Sequence, residues 1–125
     1  MNTPTLIVAS LVLVGLVGCS QSEHNTAPVS GMVTYEGQPA AGARVLFIPV
    51  DGTTRAVGSE VNQEGKYELY FSTTQVGAKP GAYKVQITYS PGKSKERISP
   101  QFSRGEMEVN VSETDNVFDF ELSNK

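Results

Sequence analysis

The chain has 125 residues, ten of them basic, thirteen acidic and one histidine, for a formal net charge of −3. That mild acidity argues against nucleic acid, which requires a clustered basic face, and the single cysteine, Cys19, excludes an internal disulfide. Twelve glycines and seven prolines, with many Val, Thr and Tyr, favour strands and turns, and no stretch keeps a 3.6-residue period.

Taken in order, residues 6–17 read LIVASLVLVGLV. A membrane-spanning helix needs roughly 20 apolar residues, so this run is short for a span. It fits the apolar core of an export signal, roughly 7–15 residues long. Met1-Asn2-Thr3-Pro4-Thr5 before it holds no Lys or Arg, so only the α-amino group supplies the positive charge usual there. The run ends in Leu16-Val17-Gly18-Cys19. Residues 19–27 follow as a polar, flexible tether that includes His24, the only histidine.

From residue 28 the pattern changes to alternation. Val29, Gly31, Val33 and Tyr35 share one face of a strand. Ala43 to Val50 is apolar on both faces, so it is either central and covered or it exposes a patch. Arg55 to Val61 is a weaker strand, and Asn62-Gln63-Glu64-Gly65 a tight turn. Lys66 to Phe71 points Tyr67, Leu69 and Phe71 inward and Tyr70 outward. Ala82 to Ser90 points Tyr83, Val85, Ile87 and Tyr89 inward. Pro91 to Gly105 is the longest irregular stretch and carries Lys93, Lys95, Arg97, Phe102 and Arg104. Glu106 to Val111 and Asn116 to Leu122 are the last strands, with Asp119 and Glu121 outward. About seven short strands with turn chemistry between them predict a single all-β domain, an antiparallel β-sandwich of prealbumin-like or immunoglobulin-like Greek-key type over residues 28–123.

Two resemblances add to this reading. Leu16-Val17-Gly18-Cys19 resembles the lipobox of bacterial lipoproteins. That resemblance implies cleavage between Gly18 and Cys19, removal of residues 1–18 and lipidation of Cys19. It implies a membrane anchor at the cell envelope, and Ser20 in place of Asp implies the outer membrane. The domain resembles the carboxypeptidase-regulatory-like group of transthyretin-like sandwiches, notably those borne by small bacterial lipoproteins. The matching residues are Val29-x-Gly31-x-Val33-x-Tyr35-x-Gly37-x-Pro39 and Gly42-Ala43-x-Val45-x-Phe47-x-Pro49. Asn62-Gln63-Glu64-Gly65-Lys66-Tyr67-x-Leu69, Pro80-Gly81-x-Tyr83-x-Val85 and Ile98-Ser99-Pro100-Gln101-Phe102 follow, leading into Asn116-x-Phe118-x-Phe120-x-Leu122. This implies a non-catalytic module. Related adhesin domains form a Lys–Asn isopeptide bond, but the first strand here has no lysine.

No catalytic constellation emerges, because nucleophilic catalysis needs a base near the nucleophile and zinc needs three or four ligands. No cofactor or metal is expected. Lys93, Lys95, Arg97, Phe102 and Arg104 could touch an anionic partner such as lipid headgroups or acidic glycans, and outward Tyr70 could stack on a sugar. The sequence therefore predicts a membrane-anchored structural or interaction module with an envelope protein or glycan as partner. The alternative is a carbohydrate- or small-ligand-binding accessory of an uptake system; a hydrolase is the weakest reading.

Overall fold

The computed structural model of the chain describes residues 25–92 and 94–125. Its elements in order are β1 (Val29–Tyr35), β2 (Gln38–Pro39), β3 (Ala43–Pro49), β4 (Val57–Glu60), β5 (Lys66–Glu68) and β6 (Tyr70–Ser72). Then come β7 (Gln75–Val76), β8 (Gly81–Tyr89), the helical turn α1 (Pro100–Ser103), β9 (Met107–Val111), β10 (Asn116–Val117) and β11 (Phe120–Leu122). Each of the seven predicted segments carries strand. Two of them split, at Leu69 and at Phe118–Asp119, and two-residue pieces appear at β2 and β7.

The chain is all-β and sandwich-like, with several antiparallel sheets. One sheet is built on β1. β5 and β2 pair antiparallel along one edge of β1. β10 and β11 pair along the other edge, and both run parallel to it. A wholly antiparallel domain was expected, so these two pairings correct that reading. Alternation dictates which face of a strand is buried, but not which strand lies beside it or in which direction. The second sheet has the order β4-β3-β8-β9 and is antiparallel throughout. β6 and β7 form a small separate ribbon.

The inward alternation predicts the core well. Val29, Val33, Val45, Phe47, Leu69, Val85 and Ile87 are wholly buried, and Tyr67 and Tyr83 nearly so. Phe47 of the second sheet meets Phe118, in the break between β10 and β11, at 6.0 Å between ring centroids. β3 is central within its sheet, yet only one of its faces is covered: Ile48 on the other face is 36% exposed.

The break in the last strand has a visible cause. The carbonyl of Phe118 turns in over Gly31 and accepts the Tyr67 hydroxyl at 2.8 Å. A Cβ on residue 31 would lie 1.9 Å from that oxygen. Asp119, outward as expected, is more than a solubilising charge: its Oδ1 accepts Met32 N–H at 2.8 Å and stitches the break back to β1.

Thr26 and Ala27, placed in the tether from their polar surroundings, belong to the domain. Ala27 is 2% exposed and bridges to Ala78, and the Thr26 hydroxyl donates to Val76 O at 2.8 Å. Backbone hydrogen bonding recruits small residues that no apolar pattern would reveal. Just beyond, Pro28 O accepts both the backbone N–H of Asn116 at 3.0 Å and its side-chain amide at 3.1 Å. The buried Asn116 amide also donates to Ser112 O and Thr114 O and accepts Ser112 N–H, which closes the turn before β10.

This arrangement gives the domain two distinct ends. The chain enters beside Val29, Ala78 and Ser112. β1 and the parallel β11 then both run to the opposite end, about 20 Å away at ~3.3 Å per residue.

Candidate functional site

Gly18, Cys19 and Lys93 lie outside the described residues. The remaining candidates fall into two places. Lys95, Arg97, Phe102 and Arg104 sit on the segment after β8, which is tied to the rest of the domain from Arg97 onward. The Tyr35 hydroxyl donates to Arg97 O at 2.7 Å, and Ser99 N–H donates to Ser123 O at 2.9 Å. Pro100 opens α1, where its fixed φ suits the first turn. Gln86 Nε2 donates to Ser103 O at 3.0 Å, and Gly105, at φ +69°, takes the left-handed conformation that releases the chain into β9.

Ile98 and Phe102, four residues apart, point into the core. Phe102 is 4% exposed and meets Phe120 edge-on at 6.0 Å. It therefore has almost no surface to offer a partner, and its place among the contact candidates is corrected. An irregular stretch has no period from which the direction of a side chain can be read.

Arg97 and Arg104 are exposed and line one hollow of about 470 Å³ with Ile98, Ser99, Pro100, Ser103 and Asn124. Lys95 lines an adjacent hollow of about 230 Å³ that shares Ile98 and Ser103. There the Tyr89 pKa is pushed up to about 12, by burial first and then by the Glu96 carboxylate that accepts its hydroxyl at 3.4 Å. These hollows lie at the end of the domain away from the chain entry, beside Tyr35 and the residues following β11.

Tyr70 lies elsewhere. Its ring is 51% exposed in a groove of about 520 Å³ lined by Ser30, Ser59, Glu60, Asn62, Lys66, Tyr67 and Glu68. Its hydroxyl donates to Glu68 Oε1 at 2.9 Å, and that hydrogen bond raises the phenol pKa. A second hollow of about 360 Å³ shares Ser30, Lys66 and Tyr67 and runs on to Met32, Val117 and Asp119. Leu69 N–H bonds Val29 O, so Tyr70 belongs to the chain-entry end. The structure thus separates Tyr70 from the arginines instead of joining them in one site.

Sequence reasoning missed Ser99 and Asn124 at the basic hollow, and Ser30, Ser59 and Lys66 at the groove. Lys66 was legible as a neighbour of Tyr70, since both are outward in K-Y-E-L-Y-F. Ser99 and Asn124 carry no such signal, because irregular chain brings them together.

Among the described residues no group of three or more His, Cys, Asp or Glu could hold a metal ion. Among the described residues the shifted pKa values are those of tyrosines, moved upward, and of Asp51, which two hydrogen bonds from Thr53 move downward. None of these moves toward neutrality, where a general acid or base works best.

Comparison against protein-family models returns no match, and neither does a search of curated proteins. Among solved structures, the chain is similar to a DUF3823 family protein from Parabacteroides merdae, with 16% identity and a TM-score of 0.49. The similarity covers 80% of this chain and 47% of that one, so the chain spans about half the length of the protein it matches.

Proposed function

We propose that the protein is a lipid-anchored lipoprotein of the bacterial cell envelope, at the outer membrane. Its carboxypeptidase-regulatory-like sandwich serves as a non-catalytic structural or interaction module for an envelope protein or glycan. One observation carries this reading: an apolar run too short to span a bilayer ends in Leu16-Val17-Gly18-Cys19. Two or three acyl chains on Cys19 would hold durably, since each buried methylene contributes about 0.8 kcal/mol and a single chain binds only marginally.

The ordered domain supports the reading by beginning close to the anchor. Thr26 is already bonded to Val76. An extended chain from Cys19 to Thr26 reaches at most about 25 Å. The domain would therefore stand next to the membrane surface, with its chain-entry end nearest. The test is metabolic labelling with radioactive palmitate. The parent chain should be labelled and Cys19→Ala should not; label persisting on the variant would exclude lipidation at this residue.

The groove at Tyr70 favours a second reading, a carbohydrate- or small-ligand-binding accessory of an uptake system. An exposed ring flanked by carboxylate, amide, hydroxyl and ammonium groups is suited to stacking on a sugar while bonding its hydroxyls. Retention of the full chain on a glycan array with no protein partner from solubilised envelope would favour this reading over the first.

A further inference from the structure

Arg97 and Arg104 both line the hollow of about 470 Å³, and neither guanidinium has a hydrogen bond or ion pair among the described residues. The backbones that carry them are fixed. Arg97 O accepts the Tyr35 hydroxyl, and Arg104 N–H bonds Pro100 O at 2.9 Å. Between them in sequence, Ser99 is 5% exposed and lines the same hollow. Its side chain makes no cap bond to α1, and no other partner holds its hydroxyl among the described residues. No buried side-chain polar atom of the described residues lacks a partner, so this hydroxyl reaches the solvent of the hollow. Glu96, next to Arg97 in sequence, accepts the hydroxyls of Tyr89 and Ser94 at 3.4 Å each.

We infer that this hollow binds an oxyanion, a carboxylate or a phosphate, held by the guanidinium groups of Arg97 and Arg104 with the Ser99 hydroxyl as a further donor. Guanidinium presents planar N–H donors that match either oxyanion, and the bonds are charge-assisted. The fixed backbone sets where the two side chains start, and ordering each exposed arginine costs part of the binding energy. The geometry alone carries the site; its orientation rests on the lipid-anchor reading. If the chain-entry end faces the anchoring membrane, the hollow faces away from it, because β1 and β11 run from the one end to the other. The ligand is then an acidic group borne by a molecule beyond the bilayer surface, and not a headgroup of the anchoring leaflet.

The experiment titrates the full chain in detergent with inorganic phosphate and, separately, with a galacturonate oligosaccharide. Binding is read from the arginine side-chain N–H resonances. Saturable binding of at least one probe is expected, with Arg97→Gln/Arg104→Gln weakening it at least about tenfold. Lys84→Gln, on the open face of β8, should bind as the parent does. Both arginines are exposed and unpaired, so the double variant should melt as the parent does, which separates lost binding from lost folding. Two results would overturn the site: neither probe saturating, or the double variant binding equally well. The orientation is read by repeating the titration on anionic vesicles carrying the lipidated protein. Unchanged affinity supports an outward site, and loss of binding on vesicles overturns that orientation. Absence of palmitate labelling would defeat the anchor reading while leaving the detergent titration intact.

Discussion

Gly31→Ala is expected to cost on the order of 3–5 kcal/mol of folding stability, from overpacking and from the hydrogen bonds it displaces. The obstruction is a backbone carbonyl, not a side chain that could rotate away. The new Cβ would sit 1.9 Å from Phe118 O and 2.7 Å from its carbon. For the carbonyl to retreat, the last strand must move. That movement endangers the Tyr67 hydroxyl bond to Phe118 O, the Met32 N–H bond to Asp119 and the Phe118 N–H bond to Ser30 O. A whole domain is typically stable by only about 5–15 kcal/mol, so the variant should be near the edge of folding. Urea denaturation measures the loss. Tyr67→Phe is the control: it removes one of these bonds and leaves the carbonyl its room. If Gly31→Ala proves no more harmful than Tyr67→Phe, the carbonyl does not occupy the place assigned to it.

Phe47→Ala should be comparably severe, at about 3–5 kcal/mol, the usual cost of emptying a buried aromatic site. Phe47 has no exposed surface. It lies on the central strand β3, next to Tyr83 of β8 at 5.8 Å and Phe118, in the break between β10 and β11, at 6.0 Å. Its removal opens a cavity where the two sheets meet, and three-residue strands such as β11 have little scope to close it. Thermal melting followed by near-ultraviolet circular dichroism should show a lower Tm and a weakened tyrosine signal from Tyr83. A loss below about 1.5 kcal/mol, the scale of a volume-conserving swap, would mean that the sheets are not joined through this ring.

The inward and outward faces were legible because a strand has a period of two. Tyr67, Leu69 and Phe71 all point inward even though the strand breaks at Leu69. The turn at Asn62–Gly65 was legible from its chemistry: the Asn62 carboxamide oxygen accepts Glu64 and Lys66 N–H, both at 2.9 Å, and Gly65 has φ +86°. Strand partnership was not legible. Nothing local in Val29 or Val33 points to Asn116 or Phe120 as its parallel neighbour. The candidate sites divide in the same way. Tyr70 could be read as outward from alternation. The hollow holding Arg97, Ser99, Arg104 and Asn124 is assembled by irregular chain, and there the same reasoning misplaced Phe102.

The parallel seating of β10 and β11 on β1 has a consequence in time. Val29 pairs with Asn116, and Val33 with Phe120. The first strand to leave the ribosome thus waits for the last described one before one of its edges is covered. Closing so long a loop is entropically costly and slows folding. Until Asn116 to Leu122 emerges, Gly31 has no carbonyl to receive and Tyr67 no acceptor for its hydroxyl. The final cooperative step is therefore deferred until nearly all of the domain has been made.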